Sequence, residues 1–328
     1  MLSLEEILER CESIKNLTIF DSFIKASSKL KIAKRPVCMV SGGWDSDILV
    51  DIFTKIDIEK KVRYVFFDTG IEYAATKQHL DFLENKYGIT IERIKAPVPV
   101  PLGTRRAGQP FWSKHASEMI YRLQRHNFKW EDRPFEELIQ EYPNCKIALM
   151  WWCNAAGEGS RFNISHIKWL KEYMVANPPT FKIAAKCCNG AKKNISKEFL
   201  YESNADLHII GVRKAEGGVR STQYKTCFTP ASGVKEWDEY RPIFWYSDKD
   251  KLEYDKLFGV THSACYSDYG LERTGCAGCP FGKRFEQELE VCRSNEPKLY
   301  GAINNIFRES YAYTRGFLEF RQQMAELK

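Results

Sequence analysis

Apolar positions change period several times along the chain, and each change marks an element. Residues 3–33 carry them at helical spacing. "PVCMV" (36–40) is a short continuous apolar run between Pro36 and "SGG", the pattern of a buried strand. "SDILVDIFTKI" (46–56) returns to helix period, "VRYVFF" (62–67) reads as a second strand, "ATKQHLDFLENKYG" (75–88) as a helix closed by Gly88, and "ITIERI" (89–94) as a third strand. Strand and helix alternate at lengths that predict a parallel, doubly wound sheet. "APVPVPLG" (96–103) breaks the rhythm with its prolines. Residues 104–165 then read as an irregular aromatic and basic insert with one clear helix, "SKHASEMIYRLQRHN" (113–127). A helix near 165–176 stops at "NPP" (177–179), because proline has no N–H and restricts the residue before it. "ADLHIIGVRK" (205–214) is strand again, followed by a basic glycine loop, an aromatic segment (240–260), a cysteine pair and a C-terminal helix from about 296.

The strongest local signal lies where the first strand meets its helix, in "VCMVSGGWDSDILV" (37–50). Small residues let the backbone close on an anion, and the first N–H groups of the helix, with its dipole, favour negative charge there. Ser41 and Ser46 add hydroxyls, and Asp45 is placed to hold a magnesium ion or to cap the helix. The pattern is neither the Gly-x-x-x-x-Gly-Lys-Ser/Thr loop nor the dinucleotide fingerprint. It resembles Ser-Gly-Gly-x-Asp-Ser, the pyrophosphate loop of the N-type ATP pyrophosphatases. Thiolating members of that superfamily often carry lysine at the variable position; Trp44 stands there here, so either the phosphate countercharge comes from elsewhere or the ligand's phosphates sit differently. After the second strand, Asp68, Thr69 and Gly70 in "FFDTGIEY" (66–73) fall at a carboxyl end, where doubly wound sheets bind ligands, and resemble the "DTG" segment of the reductases of this superfamily. An Asx-type turn is the other reading of the same residues.

Charge and cysteine usage narrow the chemistry. Lys and Arg exceed Asp and Glu by six, which permits an anionic ligand without requiring one. The start, "MLSLEEILERCESIKNL", is a charged helix pattern rather than a secretory signal, and no apolar run reaches spanning length. The expectation is a cytoplasmic protein with reduced thiols and no membrane partner, its oligomeric state open. Eleven cysteines in that setting point to metal, cluster or redox chemistry for some and to packing for others. Vicinal Cys187 and Cys188 and the Cys-x-x-Cys pair Cys276 and Cys279 form a candidate quartet of thiolates. Such a set suits a [4Fe–4S] cluster or tetrahedral zinc; buried thiols without metal are the third reading.

A Cys-Cys pair, a long interval and Cys-x-x-Cys is also the cluster signature of the assimilatory adenylyl-sulfate reductases. "IIGVRKAEGGVRS" (209–221) looks like their Gly-[Ile/Val]-Arg…Arg loop, and "RPIFWYSDKDKLEY" (241–254) like their Pro-Leu-x-x-Trp segment. The blocks, ordered from about 36 to 282, resemble the phosphoadenosine phosphosulfate (PAPS) reductase-like family. The resemblance implies a Rossmann-like three-layer α/β/α parallel sheet, adenine nucleotide alpha hydrolase-like, with a helical insert and a C-terminal iron–sulfur lobe. The implied boundaries are an N-terminal helical segment 1–35, a nucleotide domain 36–260 with the insert at about 97–180, and a lobe 261–328. It implies nucleotide contact from Ser41, Gly42, Gly43, Asp45, Ser46, Asp68, Thr69, Gly70, Arg213 and Arg220. Asp45, Arg213 and Arg220 would act in the chemistry, with ATP or adenylyl sulfate, Mg2+ and the cluster on Cys187, Cys188, Cys276 and Cys279.

Two activities follow from the resemblance. One is an ATP-using sulfurtransferase that adenylates an acceptor and replaces AMP by sulfur, drawing on a cysteine desulfurase or another donor. The other is reduction of adenylyl or phosphoadenylyl sulfate; a non-catalytic nucleotide-binding module is a third reading. Reductases of this family attack with a cysteine on a C-terminal tail. The last cysteine here is Cys292, so Cys227 or Cys265 would have to substitute, or both are packed structural cysteines. The insert mixes Arg105, Arg106, Lys114, Arg122 and Arg125 with Phe111, Trp112, Tyr121, Phe128 and Trp130. That mixture suits either a single-stranded nucleic-acid acceptor or an amphipathic helix with a solvated basic face. "MWWCN" (150–154) reads as core, and His115, His126, His166 and His208 as structural histidines.

Overall fold

The computed structural model describes residues 4–13, 15–217, 222–233, 235–281 and 285–327. The chain divides into two compact units: Met1–Ala96 with Lys192–Cys276, and Pro97–Ala191 with Ala277–Lys328.

The first unit is built on a six-stranded sheet: β1 (Pro36–Met39), β2 (Arg63–Asp68), β3 (Ile91–Lys95), β4 (Leu207–Ile209), β5 (Phe228–Thr229) and β6 (Asp238–Tyr240). Its order is β3-β2-β1-β4-β6-β5; only β5 runs antiparallel, against β6. Chain direction across the sheet therefore reverses at β1, with β2 pairing on one side and β4 on the other. Alternation decides what each face meets. Cys38, Tyr64 and Phe66 pack with the helices Leu17–Ile32, Trp44–Ile56, Ala74–Tyr87 and Asp248–Phe258. Val37 and Val65 face the other way, toward Leu200 and Phe199 of the helix Asn194–Glu202 and toward Trp237. The handedness of parallel crossovers accounts for this division. Connections stepping outward from β1 to β3 put their helices on one face, and the return to β4 puts its helix on the other. The result is the three-layer α/β arrangement expected from the sequence.

Local chemistry sets the element ends. Asn16 caps the Leu17–Ile32 helix by accepting from Thr18 N–H and Ile19 N–H, so the apolar stretch read as one helix is two, Leu4–Ser13 and Leu17–Ile32. Gly88 closes Ala74–Tyr87 in the left-handed conformation, at φ 61°.

The second unit is helical. Its core gathers Phe111, Phe128, Trp130, Trp151, Trp152, Tyr173 and Phe317. Ser113 caps Lys114–Gln124 by accepting from Ala116 N–H, as the sequence pattern predicts. Where the pattern showed only irregular chain, the structure holds Val100–Ala107, Phe135–Glu141 and Lys146–Trp152. Helices of seven or eight residues span barely two turns, too short for a 3.6-residue period to show. Phe111, Phe128 and Trp130 are buried in this core and so do not form a base-stacking surface. Trp151 and Trp152 are fully buried, as core residues should be. Among the described residues no helix is long and apolar enough to cross a membrane.

Candidate functional site

The site of the first unit grows from the turn between β1 and the helix Trp44–Ile56. Gly42 sits at φ 66°, and a Cβ there would lie 2.7 Å from the Thr76 methyl, so glycine is required twice over. Gly43 is the N-cap of the helix and has no side chain to cap with. Ser46 fills that part: its Oγ accepts from Gly43 N–H at 3.1 Å and donates to the Gly43 carbonyl at 2.7 Å. Ser41 Oγ donates to Ser46 Oγ at 3.3 Å. The Trp44 amide donates to Tyr266 OH at 2.9 Å. Of the four leading amides of this helix, those of Gly43 and Trp44 are thus engaged, and those of Asp45 and Ser46 remain the donors that a helix start offers an anion.

The ceiling of the loop comes from residues far along the chain. A Cβ on Gly43 would meet Thr274 Oγ1 at 2.7 Å and Tyr266 OH at 3.2 Å, so the segment leading into Cys276 lies directly on the loop. Gly211, just after β4, brings its backbone against Asp45, with a Cβ position 3.4 Å from the Asp45 carbonyl. The loop therefore sits at the carboxyl ends of β1 and β4, where the sheet reverses direction and where open α/β sheets bind ligands.

Asp45 neither caps the helix nor stands alone. Its Oδ1 accepts from Arg213 Nε at 3.0 Å and pairs with Lys251 Nζ at 3.0 Å. Arg213, 6% exposed, also donates to Asp248 at 2.9 Å and to the Tyr246 carbonyl at 3.3 Å. Burial works against its charge, but Asp45 and Asp248 outweigh that and hold the guanidinium pKa above its usual value. Behind the loop, fully buried Asp47 accepts from His262 Nδ1 at 2.8 Å, and Asp255 faces His262 Nε2 at 3.0 Å. Burial disfavours the imidazolium, yet the two carboxylates prevail and raise His262 to about 9. Trp44 lies between: its ring centroid is 4.4 Å from that of His262 and 4.5 Å from Lys251 Nζ.

At the end of β2, Thr69 donates its N–H (2.9 Å) and its hydroxyl to buried Glu72, while Gly70 N–H donates to Asp68 at 2.8 Å. Burial and its hydrogen bond with Asp68 raise Glu72; the same bond, with Lys77 and the Gly70 amide, lowers Asp68 against the effect of burial. Glu72 forms an antiparallel bridge with Cys276, and Thr69 Oγ1 lies 3.5 Å from Cys276 Sγ. One thiol of the Cys-x-x-Cys pair thus rests on the Asp68–Gly70 turn.

The structure brings together Ser41, Gly42, Gly43, Asp45, Ser46 and Arg213. Arg220 lies outside the described residues. Cys276 belongs to the first unit; Cys187, Cys188 and Cys279 belong to the second. Cys187 and Cys188 form a helical turn that runs into the π-helical stretch Asn189–Lys193. A Cβ on Gly103 would sit 3.3 Å from the Cys187 backbone. Among the described residues no three His, Cys, Asp or Glu side chains stand together as a metal-holding group. Cys265 is fully buried and Cys227 half-buried. Motif reading missed Lys251, His262, Tyr266, Glu72 and Thr274. The first lies inside the 241–254 block and the last beside Cys276, but only the fold brings them to the loop.

The fold is that of a nucleotide-binding α/β enzyme class, with a glycine turn and helix start at the sheet's reversal point. Residues 35–281 match the phosphoadenosine phosphosulfate reductase domain family, and the chain belongs to it. It is 24% identical over 295 residues to an uncharacterized protein of Methanocaldococcus jannaschii, covering 88% of this chain but only 44% of that longer protein. Among solved structures, phosphoadenylyl-sulfate reductase from Candida auris aligns at 12% identity and TM-score 0.45, over 84% of this chain and 96% of that one. The U34-tRNA thiolase NcsA from Methanococcus maripaludis, solved with its [4Fe-4S] cluster, aligns at 11% and 0.38, over 92% and 80%. The NH3-dependent NAD synthetase from Campylobacter jejuni aligns at 12% and 0.36, over 95% and 96%.

Proposed function

We propose that this protein binds the polyphosphate of ATP at the Ser41–Ser46 loop and catalyses transfer of AMP to an acceptor oxygen, which sulfur then replaces. The observation that supports this best is the loop itself: a glycine turn ending in a helix start, at the carboxyl ends of β1 and β4, with two cations held on Asp45. The acceptor oxygen attacks the α-phosphorus and pyrophosphate leaves; a sulfur nucleophile from a cysteine desulfurase or another donor then attacks the activated carbon, and AMP leaves. Backbone amides and Arg213 stabilise charge that grows on the phosphate oxygens. Asp45 acts as a positioning residue, since both of its partners are cations. Arg220 is a further candidate for the phosphates, and Asp68, Thr69 and Gly70 border the nucleotide from β2. Magnesium comes with the nucleotide as counter-ion of its phosphates.

Cys187, Cys188, Cys276 and Cys279 are the residues that would hold a [4Fe–4S] group. Four thiolates are the right donor type, and the group would supply a site for holding sulfur. Among the described residues no three His, Cys, Asp or Glu side chains are gathered as a metal-holding group. Iron and sulfide analysis after anaerobic purification tests this assignment; one zinc and no iron would end it. The acceptor is a nucleic acid or a small molecule.

Family membership favours one other reading, reduction of adenylyl or phosphoadenylyl sulfate. Of the two candidate thiols, Cys227 is half-buried and lines a cavity of about 520 Å3 with Lys25, whereas Cys265 is fully buried. Release of pyrophosphate from ATP, lost in Asp45→Ala, supports the transferase. Sulfite from adenylyl sulfate with a thiol donor, together with inertness toward ATP, would replace it by the reductase.

A further inference from the structure

The loop Ser41–Ser46 contains no cation of its own, and charge-assisted contacts to phosphate are stronger than those of amides alone. We infer that Lys251 supplies this charge and that Trp44 is its seat, so that the ε-ammonium of Lys251 binds the polyphosphate of an adenine nucleotide. The inference rests on reading the loop as a phosphate site.

Three observations converge on it. Lys251 comes from the Asp248–Phe258 helix and keeps only 12% of its side chain exposed, unusual for a residue that normally holds its ammonium in water. Its Nζ reaches the same carboxylate oxygen of Asp45 that Arg213 Nε uses, each at 3.0 Å. Two shielded cations therefore share one carboxylate. The second carboxylate on Arg213, Asp248, is 84% exposed, and water screens it. The neighbouring charged groups do not redress this. Asp47 and Asp255 are turned onto His262, which their attraction keeps cationic against burial, and Asp47 also faces His79 at 3.0 Å, so neither carboxylate reaches Lys251 or Arg213. Beside the amides of the helix start, Arg213 and Lys251 thus have one shielded carboxylate between them, and an incoming anion gives them a second partner.

The Trp44 ring explains why Lys251 stays there. Its face lies 4.5 Å from Nζ, within cation–π range, and it shields the ammonium from water. Trp44 is itself pinned by the hydrogen bond its backbone N–H donates to Tyr266 OH and by the His262 ring. Residue 44 thus orients a borrowed charge.

Calorimetric titration of the full chain with ATP, inorganic pyrophosphate and adenosine tests this. Wild type binds all three; Lys251→Met loses about tenfold or more in affinity for ATP and pyrophosphate, with adenosine unchanged. Lys251→Arg retains most of the affinity. Returning the charge to the loop in Trp44→Lys/Lys251→Met restores ATP binding toward wild type, which a structural role for Lys251 would not produce. Equal ATP affinity in Lys251→Met and wild type overturns the inference, as does a double variant no better than Lys251→Met. If Lys251→Met does not fold, Lys251→Gln gives the same reading. A wild type that binds neither ATP nor pyrophosphate overturns the phosphate reading itself, and Lys251 falls with it.

Discussion

The two units bury different things. Among the described residues every buried Asp, Glu, His or Arg belongs to the first unit: Asp47, Asp51, Asp57, Glu72, His79, His208, Arg213, Glu239 and Arg241. The buried polar residues of the second are Thr104, Ser117, Asn163, Ser310 and Thr314, all uncharged. Its interior is filled by rings instead, with Phe128, Trp130 and Trp152 meeting edge to face at 5.5–5.7 Å. Its ion pairs, such as Arg133 with Glu137 and Glu141, lie outside. Burying charge is costly unless it is paired, and it rarely adds stability over apolar packing. The first unit accepts that cost at its loop, through Asp47 and Arg213, and elsewhere, as in the Arg241–Glu239 pair; the second has the interior expected of a packing scaffold.

This contrast can be broken from either side. Trp151→Ala should have the largest effect on stability, about 4 kcal/mol by denaturant unfolding, because it empties the second unit's core. ATP affinity should stay as it was if that unit is scaffold alone. Arg213→Met should cost about 3 kcal/mol by leaving Asp45 with one partner fewer, and should also abolish detectable ATP binding in calorimetry. Gly43→Ala presses a methyl onto Thr274 and Tyr266. It should weaken ATP binding by about tenfold or more while moving the unfolding midpoint little.

Next in size is a pH effect. His262 is raised to about 9 in the folded chain against 6.5 unfolded, so its pairs stabilise fully below the lower value and are lost as pH rises through the higher one. Stability should fall by up to about 3 kcal/mol between pH 7 and 10, and His262→Gln should flatten that limb. His208, pushed down to about 4 by burial, has the opposite sign: its contribution disappears as pH falls from 6.5. The smallest effect is expected at Arg293→Ala, whose pairing with Glu290 is solvent-exposed and should leave the midpoint unmoved.

What the sequence made legible follows the same division. The turn "SGGWDS", its strand and its helix were readable because all their determinants lie within a few residues. The parallel, doubly wound sheet followed from the alternation of strand and helix, whereas the strand order β3-β2-β1-β4-β6-β5 came from the structure. The clamp on Asp45 was not readable. Lys251 and Asp45 are separated by most of the sheet in sequence, and a lysine in "SDKDKLEY" looks like any solvated helix charge until that helix is placed. Glu72 was equally silent, since its bridge to Cys276 is a long-range backbone contact. In the insert, rings beside arginines suggested stacking, but composition does not say which way a ring points, and Phe111, Phe128 and Trp130 point inward.

The backbone passes between the two units three times, after Ala96, Ala191 and Cys276. Each unit is therefore stitched from two separate stretches, and neither can be excised as one continuous fragment. During synthesis β1, β2 and β3 emerge as a partial sheet while β4, the neighbour of β1 on its far side, waits behind the whole Pro97–Ala191 stretch. The nascent protein carries an unpaired strand edge through that interval, which makes the growing chain, more than the finished one, the form that needs protection from aggregation.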